Sequence, residues 1–149
     1  MDIKGEALVR ADPGTVWAAL HDVELLKRSV PGCEEIHWLD EKNLRASLVL
    51  RIGTVKRCYE GHIRIAEAVK PERYTLLLGG TPESPNVTSR IRLEPQPEGT
   101  RICYEVEARL DKYFKGLGAR AAAAVARRLA ALFFKRLDTA LAQRKPEYP

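Results

Sequence analysis

The sequence has few of the residues that build disulfide frameworks, metal sites or familiar catalytic centres. Its three cysteines, Cys33, Cys58 and Cys103, are far apart and form no C-x-x-C motif. An odd number of dispersed cysteines argues against a disulfide framework and a zinc site, so we expect reduced, small apolar side chains. The three histidines have no ligand at metal-binding spacing, and no H-E-x-x-H, G-x-S-x-G or P-loop pattern occurs. We therefore expect no metal, no cofactor and no enzymatic activity.

Long hydrophobic runs and a targeting segment are also missing. Residues 1–6 show no basic stretch followed by an apolar run, so we expect no signal peptide and a cytoplasmic protein. The longest helical pattern, 116–145, is interrupted by arginine and lysine so that its uncharged stretches are only six residues long. A membrane span needs about 20 mostly apolar residues. This segment is therefore not expected to cross a bilayer.

The composition favours one globular domain. Hydrophobic residues make up 45% and charged residues 30% of the 149 residues, which suits a single core. We expect that domain to span residues 1–145, with a short tail at 146–149. The formal net charge is +5, and the excess is local: nine Lys or Arg and two Asp give residues 111–145 a net charge of +7.

The basic C-terminal region suggests an anionic partner. Its charged side is either a solvated helix face or a surface for an anionic membrane or an acidic protein. A nucleic acid is not expected as the partner. Aromatic residues are only 7% of the chain and fall mostly at inward-facing positions, so no exposed stacking platform is available for bases.

The pattern along the chain predicts an α+β fold. A first strand over 3–11 precedes a helix capped by Asp12 and begun by Pro13, and a second short helix over 23–29 ends before Pro31. Strands are then predicted by period-two alternation over 36–38, 44–52, 55–65, 73–79, 86–93 and 100–110, with breakers at 70–71, 82–85 and 95–99. Such closely spaced strands form antiparallel hairpins whose apolar face needs a covering layer.

The long C-terminal helix is the only element large enough to be that layer. At 100° per residue its charged side chains gather on one side and a broad apolar face forms on the other. This face packs on the sheet, but a helix across a curved sheet also leaves room for an apolar ligand. The small side chains of residues 121–124 favour such a gap. Arg136 lies near the apolar face and reaches either an edge of the fold or a polar group of the ligand.

Candidate ligand-binding residues are those on the inward side of the predicted elements. Arg57 and the inward tyrosines are its polar members, although tyrosines at such positions also serve as core residues. The full set is Trp17, Trp38, Leu48, Leu50, Arg57, Tyr59, Tyr74, Leu76, Tyr104, Val106, Phe114, Leu117, Val125, Leu129, Leu132, Phe133 and Arg136.

Particular residues resemble one family. They are Gly5, Pro13 with the Val16-Trp17-Ala18-Ala19-Leu20 helix, Asp22, the Val30-Pro31-Gly32-Cys33 corner, Gly53 with Val55-Lys56, Gly61, Tyr74, Leu117-Gly118 and Phe133-Phe134. Together they resemble the carbon monoxide dehydrogenase CoxG family, which is part of the START and Bet v 1-like (SRPBCC) superfamily. The resemblance implies a helix-grip fold, in which a curved antiparallel sheet holds two short helices and a long C-terminal helix.

The resemblance also implies a function. Members are non-catalytic accessory proteins of molybdenum-containing CO dehydrogenase-type hydroxylases, associated with recruiting the enzyme to the inner face of the cytoplasmic membrane. The fold implies a hydrophobic cavity for a lipid or a quinone. Two alternatives stay open: a polyketide cyclase or dehydratase-like enzyme that uses Arg57 and the pocket tyrosines, and a docking module that uses the basic helix.

Overall fold

A computed structural model describes residues 2–52, 54–109 and 118–143, and it confirms the predicted α+β architecture. One curved antiparallel sheet has the strand order β1-β7-β6-β5-β4-β3-β2. The elements in chain order are β1 (Asp2–Val9), α1 (Pro13–Leu20), α2 (Val23–Ser29), β2 (Cys33–Trp38), β3 (Asn43–Ile52), β4 (Val55–Val69), β5 (Arg73–Gly79), β6 (Pro85–Gln96), β7 (Gly99–Ala108) and α3 (Ala119–Gln143).

Both short helices begin where the sequence predicts. The Asp12 carboxylate accepts a hydrogen bond from the backbone N–H of Thr15 at 3.1 Å, and Pro13 opens α1. Asp22 caps α2 in the same way, accepting from the backbone N–H of Glu24 at 3.0 Å. These caps satisfy N–H groups that a helix start leaves without partners.

The corner between α2 and β2 requires glycine at position 32. Gly32 has a φ of 76°, which side-chain-bearing residues rarely adopt, and its carbonyl accepts a 2.8 Å hydrogen bond from the backbone N–H of Val49. A Cβ at Gly32 would overlap the carbonyl oxygen of Val49. The corner is thus held directly against β3.

Two strand ends differ from the sequence prediction. β4 continues past Ile65 to Val69 because a β-bulge, with Glu67 at a φ of 52°, lets it go on pairing with β5. β6 continues through Pro95, where a break was predicted. Pairing with β5 ends at Arg92, so one side of β6 has no strand partner at Pro95, and a proline is tolerated there.

The inner face of the sheet carries the apolar half of the alternation, because cross-strand partners point to the same side. Its central buried residues include Leu44, Ile65, Tyr74, Ile91 and Ile102. Helix α1 covers it with Val16, Trp17, Ala19 and Leu20, and α3 covers it with Ala122, Phe134, Leu137 and Leu141. The sheet and these two helices enclose the core.

An ion pair ties α3 to the end of β1. Arg10 donates to the Asp138 carboxylate from its side chain and its backbone N–H, both at 2.9 Å. Burial acts to raise the pKa of Asp138, but these hydrogen bonds outweigh it and hold that pKa below its ordinary value. The pair therefore stabilises the fold only while Asp138 is ionised.

Gly32→Ala is expected to lower the free energy of unfolding by about 1–3 kcal/mol or more, because it places a side chain at a strained φ against a backbone carbonyl. The measurement is urea unfolding followed by circular dichroism. Gly80→Ala is the matched control, since a Cβ at Gly80 meets nothing within 4 Å. Equal stability of the two variants would contradict the assigned role of the corner.

Asp138→Asn is expected to lower the melting temperature at pH 7, because it removes the charge that Arg10 holds. The depressed pKa of Asp138 means that its contribution is complete above the unfolded-state value near pH 4 and is lost as pH falls through the lower folded-state pKa. Thermal melts from pH 7 downward should therefore show the two proteins converging in acid. A difference that stays constant over this range would argue against the ion pair.

Candidate functional site

A cavity of about 200 Å³ lies on the inner face of the sheet, over β3 to β6. Its lining is almost wholly apolar, and most of the side chains share the inward parity of the alternation. The lining residues are Ala46, Leu48, Leu50, Tyr59, Glu60, Gly61, His62, Ile63, Leu78, Gly79 and Val87. Concave apolar spaces of this kind are the usual sites for small hydrophobic ligands.

Small residues on the sheet create this space. Ala46 of β3 is the direct cross-strand partner of Gly61 of β4, so the middle of the inner face carries one methyl group where two larger side chains could stand. Gly79 of β5 borders the same position, with its carbonyl 3.3 Å from where a Gly61 Cβ would lie. The sequence analysis attributed the gap to the alanines at 121–124. Instead, among the residues that the structure describes, those that line the cavity all belong to strands.

Three of the predicted ligand-binding residues line the cavity: Leu48, Leu50 and Tyr59. Arg57 lies next to them, two residues before Tyr59 and directly opposite Leu50. Its side chain is half-buried on the inner face. Arg57 has no ion pair with any residue in the described parts of the chain. A cation at the edge of an apolar cavity is suited to contact an oxygen atom of a ligand.

Tyr74 shares the inner face but serves the core. It is 3% exposed and packs edge-on against Trp17, with ring centroids 5.1 Å apart. Burial raises the pKa of Tyr74, so its phenol stays neutral. Leu76 is partly buried against the same core. The structure thus places Trp17, Tyr74 and Leu76 in packing outside the lining of the cavity.

His21 completes this aromatic cluster, and no pattern in the sequence indicated it. Its ring stacks on Trp17 at 4.6 Å and lies 5.0 Å from Tyr74. Its Nδ1 donates a 2.7 Å hydrogen bond to the Trp17 carbonyl oxygen, and burial lowers the pKa of His21. His21 is therefore a neutral packing residue at the end of α1.

Tyr104 connects the sheet to α3. Its ring stacks on Phe134 with centroids 5.4 Å apart, and Phe134 in turn contacts Phe133 at 5.0 Å. Gly5, the cross-strand partner of Tyr104, leaves room for this ring, because a Cβ at Gly5 would overlap the phenol oxygen. Burial raises the pKa of Tyr104. The sequence prediction named Phe133, which is half-buried, and missed the more deeply buried Phe134.

The remaining predicted residues lie in several places. Val106 shares the inner face, as the partner of Ile3. Trp38 is 36% exposed at the end of the edge strand β2, and Arg136 is exposed, as an edge position requires. Phe114 and Leu117 lie outside the described residues. The predicted residues of α3 that are half-buried are Val125, Leu129, Leu132 and Phe133.

A larger depression, about 400 Å³, lies on the outer face of β1, β7, β6 and β5. It is lined by charged side chains, and its arginines already have carboxylate partners: Arg90 lies 3.0 Å from Glu107, and Arg92 lies 3.1 Å from Glu94. Because its charges are paired and open to water, this depression offers a ligand little that solvent does not. We therefore take the smaller apolar cavity as the candidate site.

Two further observations concern metal binding and membrane crossing. Within residues 2–52, 54–109 and 118–143, no three His, Cys, Asp or Glu side chains are grouped so that they could hold a metal ion. Over the same residues, no helix combines the length and the apolar character that crossing a bilayer requires.

The sequence model of the carbon monoxide dehydrogenase CoxG family matches residues 5–142. A conserved protein from Geobacillus kaustophilus has a similar structure, with a TM-score of 0.85, 26% identity and 96% of each chain covered. The solved structure of Ara h 8.0201 gives a TM-score of 0.68 at 13% identity, covering 97% of this chain and 99% of the other. An AHSA1-like protein from Aeromonas hydrophila gives 0.66 at 14%, with all of both chains covered. No curated protein sequence matches.

These similarities confirm the predicted helix-grip fold. The solved structures below 25% identity are similar to this chain in fold, and the match to the family covers the strands, the cavity and most of α3.

Gly5→Ala is expected to lower the free energy of unfolding by about 1–3 kcal/mol, because the new methyl group must displace the Tyr104 ring from its stack on Phe134. Tyr104→Leu in the same chain removes the overlapping phenol. The second substitution should therefore cost less in Gly5→Ala than in the wild-type background. Denaturant unfolding of the four proteins measures this coupling. Additive effects would show that Gly5 is not there to accommodate the ring.

Proposed function

The chain belongs to the carbon monoxide dehydrogenase CoxG family, and from that membership we propose that it is a non-catalytic accessory protein that carries an apolar small molecule. The ligand, a lipid or a quinone, occupies the inner cavity over β3 to β6. The protein serves a molybdenum CO dehydrogenase-type hydroxylase and links it to the cytoplasmic face of the membrane. The apolar cavity is the single observation that carries the ligand-binding part of this proposal.

The size of the cavity limits what it encloses. A dry apolar cavity of about 150 Å³ is enough to bind benzene. The 200 Å³ present here therefore holds one ring or a short stretch of acyl chain. Sites that enclose a whole drug-sized ligand measure about 300–1,000 Å³. A lipid or quinone bound here would bury one apolar part and extend beyond the lining residues with the remainder.

Arg57 and Tyr59 supply the polar contacts of the proposed site. Tyr59 lines the cavity, and Arg57 follows on the same face toward the end of the hairpin. A guanidinium group donates hydrogen bonds and accepts none, so it fits a carbonyl or anionic oxygen of the ligand. A ligand oriented in this way has its ring or chain among Leu48 and Leu50 and its oxygen at Arg57.

The hydroxylase partner is proposed from the family, and the exposed basic side of α3 is compatible with it. Five cations of that helix are exposed and would suit an acidic protein surface. They are Arg120, Arg127, Arg128, Lys135 and Arg136.

The enzymatic alternative has weaker support from the geometry. It needs several polar groups around one substrate, and the sequence offered Arg57 with three tyrosines. Tyr74 packs against Trp17, and Tyr104 stacks on Phe134, so two of the three tyrosines are engaged in packing away from the lining of the cavity. Arg57 and Tyr59 alone make a recognition pair, which favours binding over catalysis.

Ala46→Leu is expected to weaken ligand binding, because it adds three carbon atoms to the middle of a cavity of about 200 Å³. An overpacking cost of about 1–3 kcal/mol corresponds to a loss of affinity between about fivefold and a hundredfold. The measurement is native mass spectrometry of the purified protein, followed by organic extraction and identification of the bound molecule. Wild type should carry an extractable lipid or quinone and the variant much less.

Ala131→Leu is the control, since it makes the same change at an exposed position of α3 and should leave the bound ligand in place. Circular dichroism establishes that both variants are folded. A wild-type protein that contains no extractable ligand, and that binds no added lipid or quinone, would overturn the carrier proposal.

A further inference from the structure

The β3–β4 hairpin projects beyond the rest of the sheet. Pairing between β2 and β3 reaches only Leu48, and pairing between β4 and β5 begins only at His62. Residues Val49–Ile52 and Val55–Cys58 therefore pair only with each other among the described strands. We call these two segments the hairpin arm. A lone two-stranded hairpin is marginally stable in water, so an arm of this kind is suited to rest on something else.

The hairpin arm is cationic. Residues 48–59 contain Arg51, Lys56 and Arg57 and no acidic residue. Arg51 and Lys56 are direct cross-strand partners, and both are exposed. Like charges at directly opposed positions destabilise a strand pair. The next carboxylate along β4, Glu60, is already paired with Arg45 at 3.5 Å. The arm thus keeps a repulsive pair that nothing in the described chain neutralises.

The hairpin arm also exposes an apolar side chain and continues into the cavity. Val55 is 47% exposed near the end of the arm, on the same face as Arg57. Leu50, on the other strand of that face, lines the cavity. A surface that meets the arm therefore meets the open edge of the proposed ligand site as well.

We propose that the hairpin arm docks on the anionic surface of a lipid bilayer. Arg51, Lys56 and Arg57 lie among the lipid headgroups, and Val55 enters the interface. Charge complementarity supports this occupant, because each Lys or Arg close to an anionic leaflet adds to the attraction. The exposed Val55 favours a bilayer over an acidic protein as the partner, since an apolar side chain beside cations suits the headgroup boundary. The inference rests on the proposed carrier function, for which it supplies the loading position.

Docking by the hairpin arm has a consequence for exchange of the ligand. Apolar molecules partition into the bilayer, and the arm would hold Leu50 and Tyr59 at its surface. The ligand would pass between bilayer and cavity with little exposure of its apolar part to water, which is the step that costs most free energy for such a molecule.

The test is cosedimentation of the full chain with two kinds of vesicle, phosphatidylcholine alone and phosphatidylcholine containing phosphatidylserine. We expect binding to the anionic vesicles and release as salt screens the charges. Each cation is worth about a fivefold change in partitioning, so Arg51→Gln with Lys56→Gln should lower binding about twenty-five-fold. Val55→Ser should lower it by a smaller factor. Removal of the opposed like charges should leave the unfolding midpoint unchanged or raise it.

Arg128→Gln with Lys135→Gln is the matched control, because it removes one arginine and one lysine from the exposed side of α3. We expect this variant to bind anionic vesicles as wild type does. Loss of binding here, with retention in the hairpin arm variant, would overturn the proposal and assign the membrane surface to α3. Absence of binding to anionic vesicles at low salt would also overturn it and favour an acidic protein as the occupant.

Extraction of ligand from the same preparations separates this inference from the carrier function. Protein that contains lipid or quinone but does not bind vesicles would leave the carrier function standing and remove the docking proposal. Protein that binds vesicles through the hairpin arm but contains and takes up no ligand would do the reverse.

Discussion

The register of β3 against β4 is the constraint on which the cavity and the hairpin arm both depend. One set of cross-strand pairs places Ala46 opposite Gly61, which opens the cavity, and Arg51 opposite Lys56, which charges the arm. Because strand side chains alternate with a period of two, a slip of one residue would send every one of these groups to the other face. The Gly32 corner, hydrogen-bonded to Val49, holds β3 at the point where the arm leaves the sheet.

The inner face divides into a filled half and an open half. Toward β5, β6 and β7, large rings occupy the space between sheet and helices, with Tyr74 against Trp17 and Tyr104 against Phe134. Over β3 and β4, the pair of Ala46 and Gly61 leaves the space empty. The filled half holds α1 and α3 on the sheet. The other half is thereby free to remain unfilled without loss of the fold.

The sequence predicted most elements, because capping and alternation are local properties. Asp12 and Asp22 cap their helices as expected, and the parity of β3 and β4 correctly led to Leu48, Leu50 and Tyr59 as residues of one face. Parity cannot tell how far along that face a helix reaches. It therefore grouped Tyr74 and Tyr104 with the cavity, although helices α1 and α3 cover them.

Helix geometry sets a second limit to what the sequence predicts. Phe133 and Phe134 differ by 100° around α3, and the apolar face is broad enough to include either, so only the contact with Tyr104 distinguishes the buried one. The small residues of the cavity were a weak signal for a related reason. An alanine or a glycine at inward parity indicates space only once the partner across the strand is known to be small as well.

The cavity and the hairpin arm both cost folding stability, and this cost is what connects them to function. An unfilled apolar space forgoes dispersion contacts, and opposed cations repel. A ligand that binds only the folded chain offsets such a cost: at one hundred times its dissociation constant it contributes about 2.7 kcal/mol. An anionic surface offsets the repulsion in the arm by the same linkage. Each feature is thus most stable in the presence of the partner that its chemistry fits, and because Leu50 and Arg57 oppose each other across the arm, the two partners meet at one edge of the sheet.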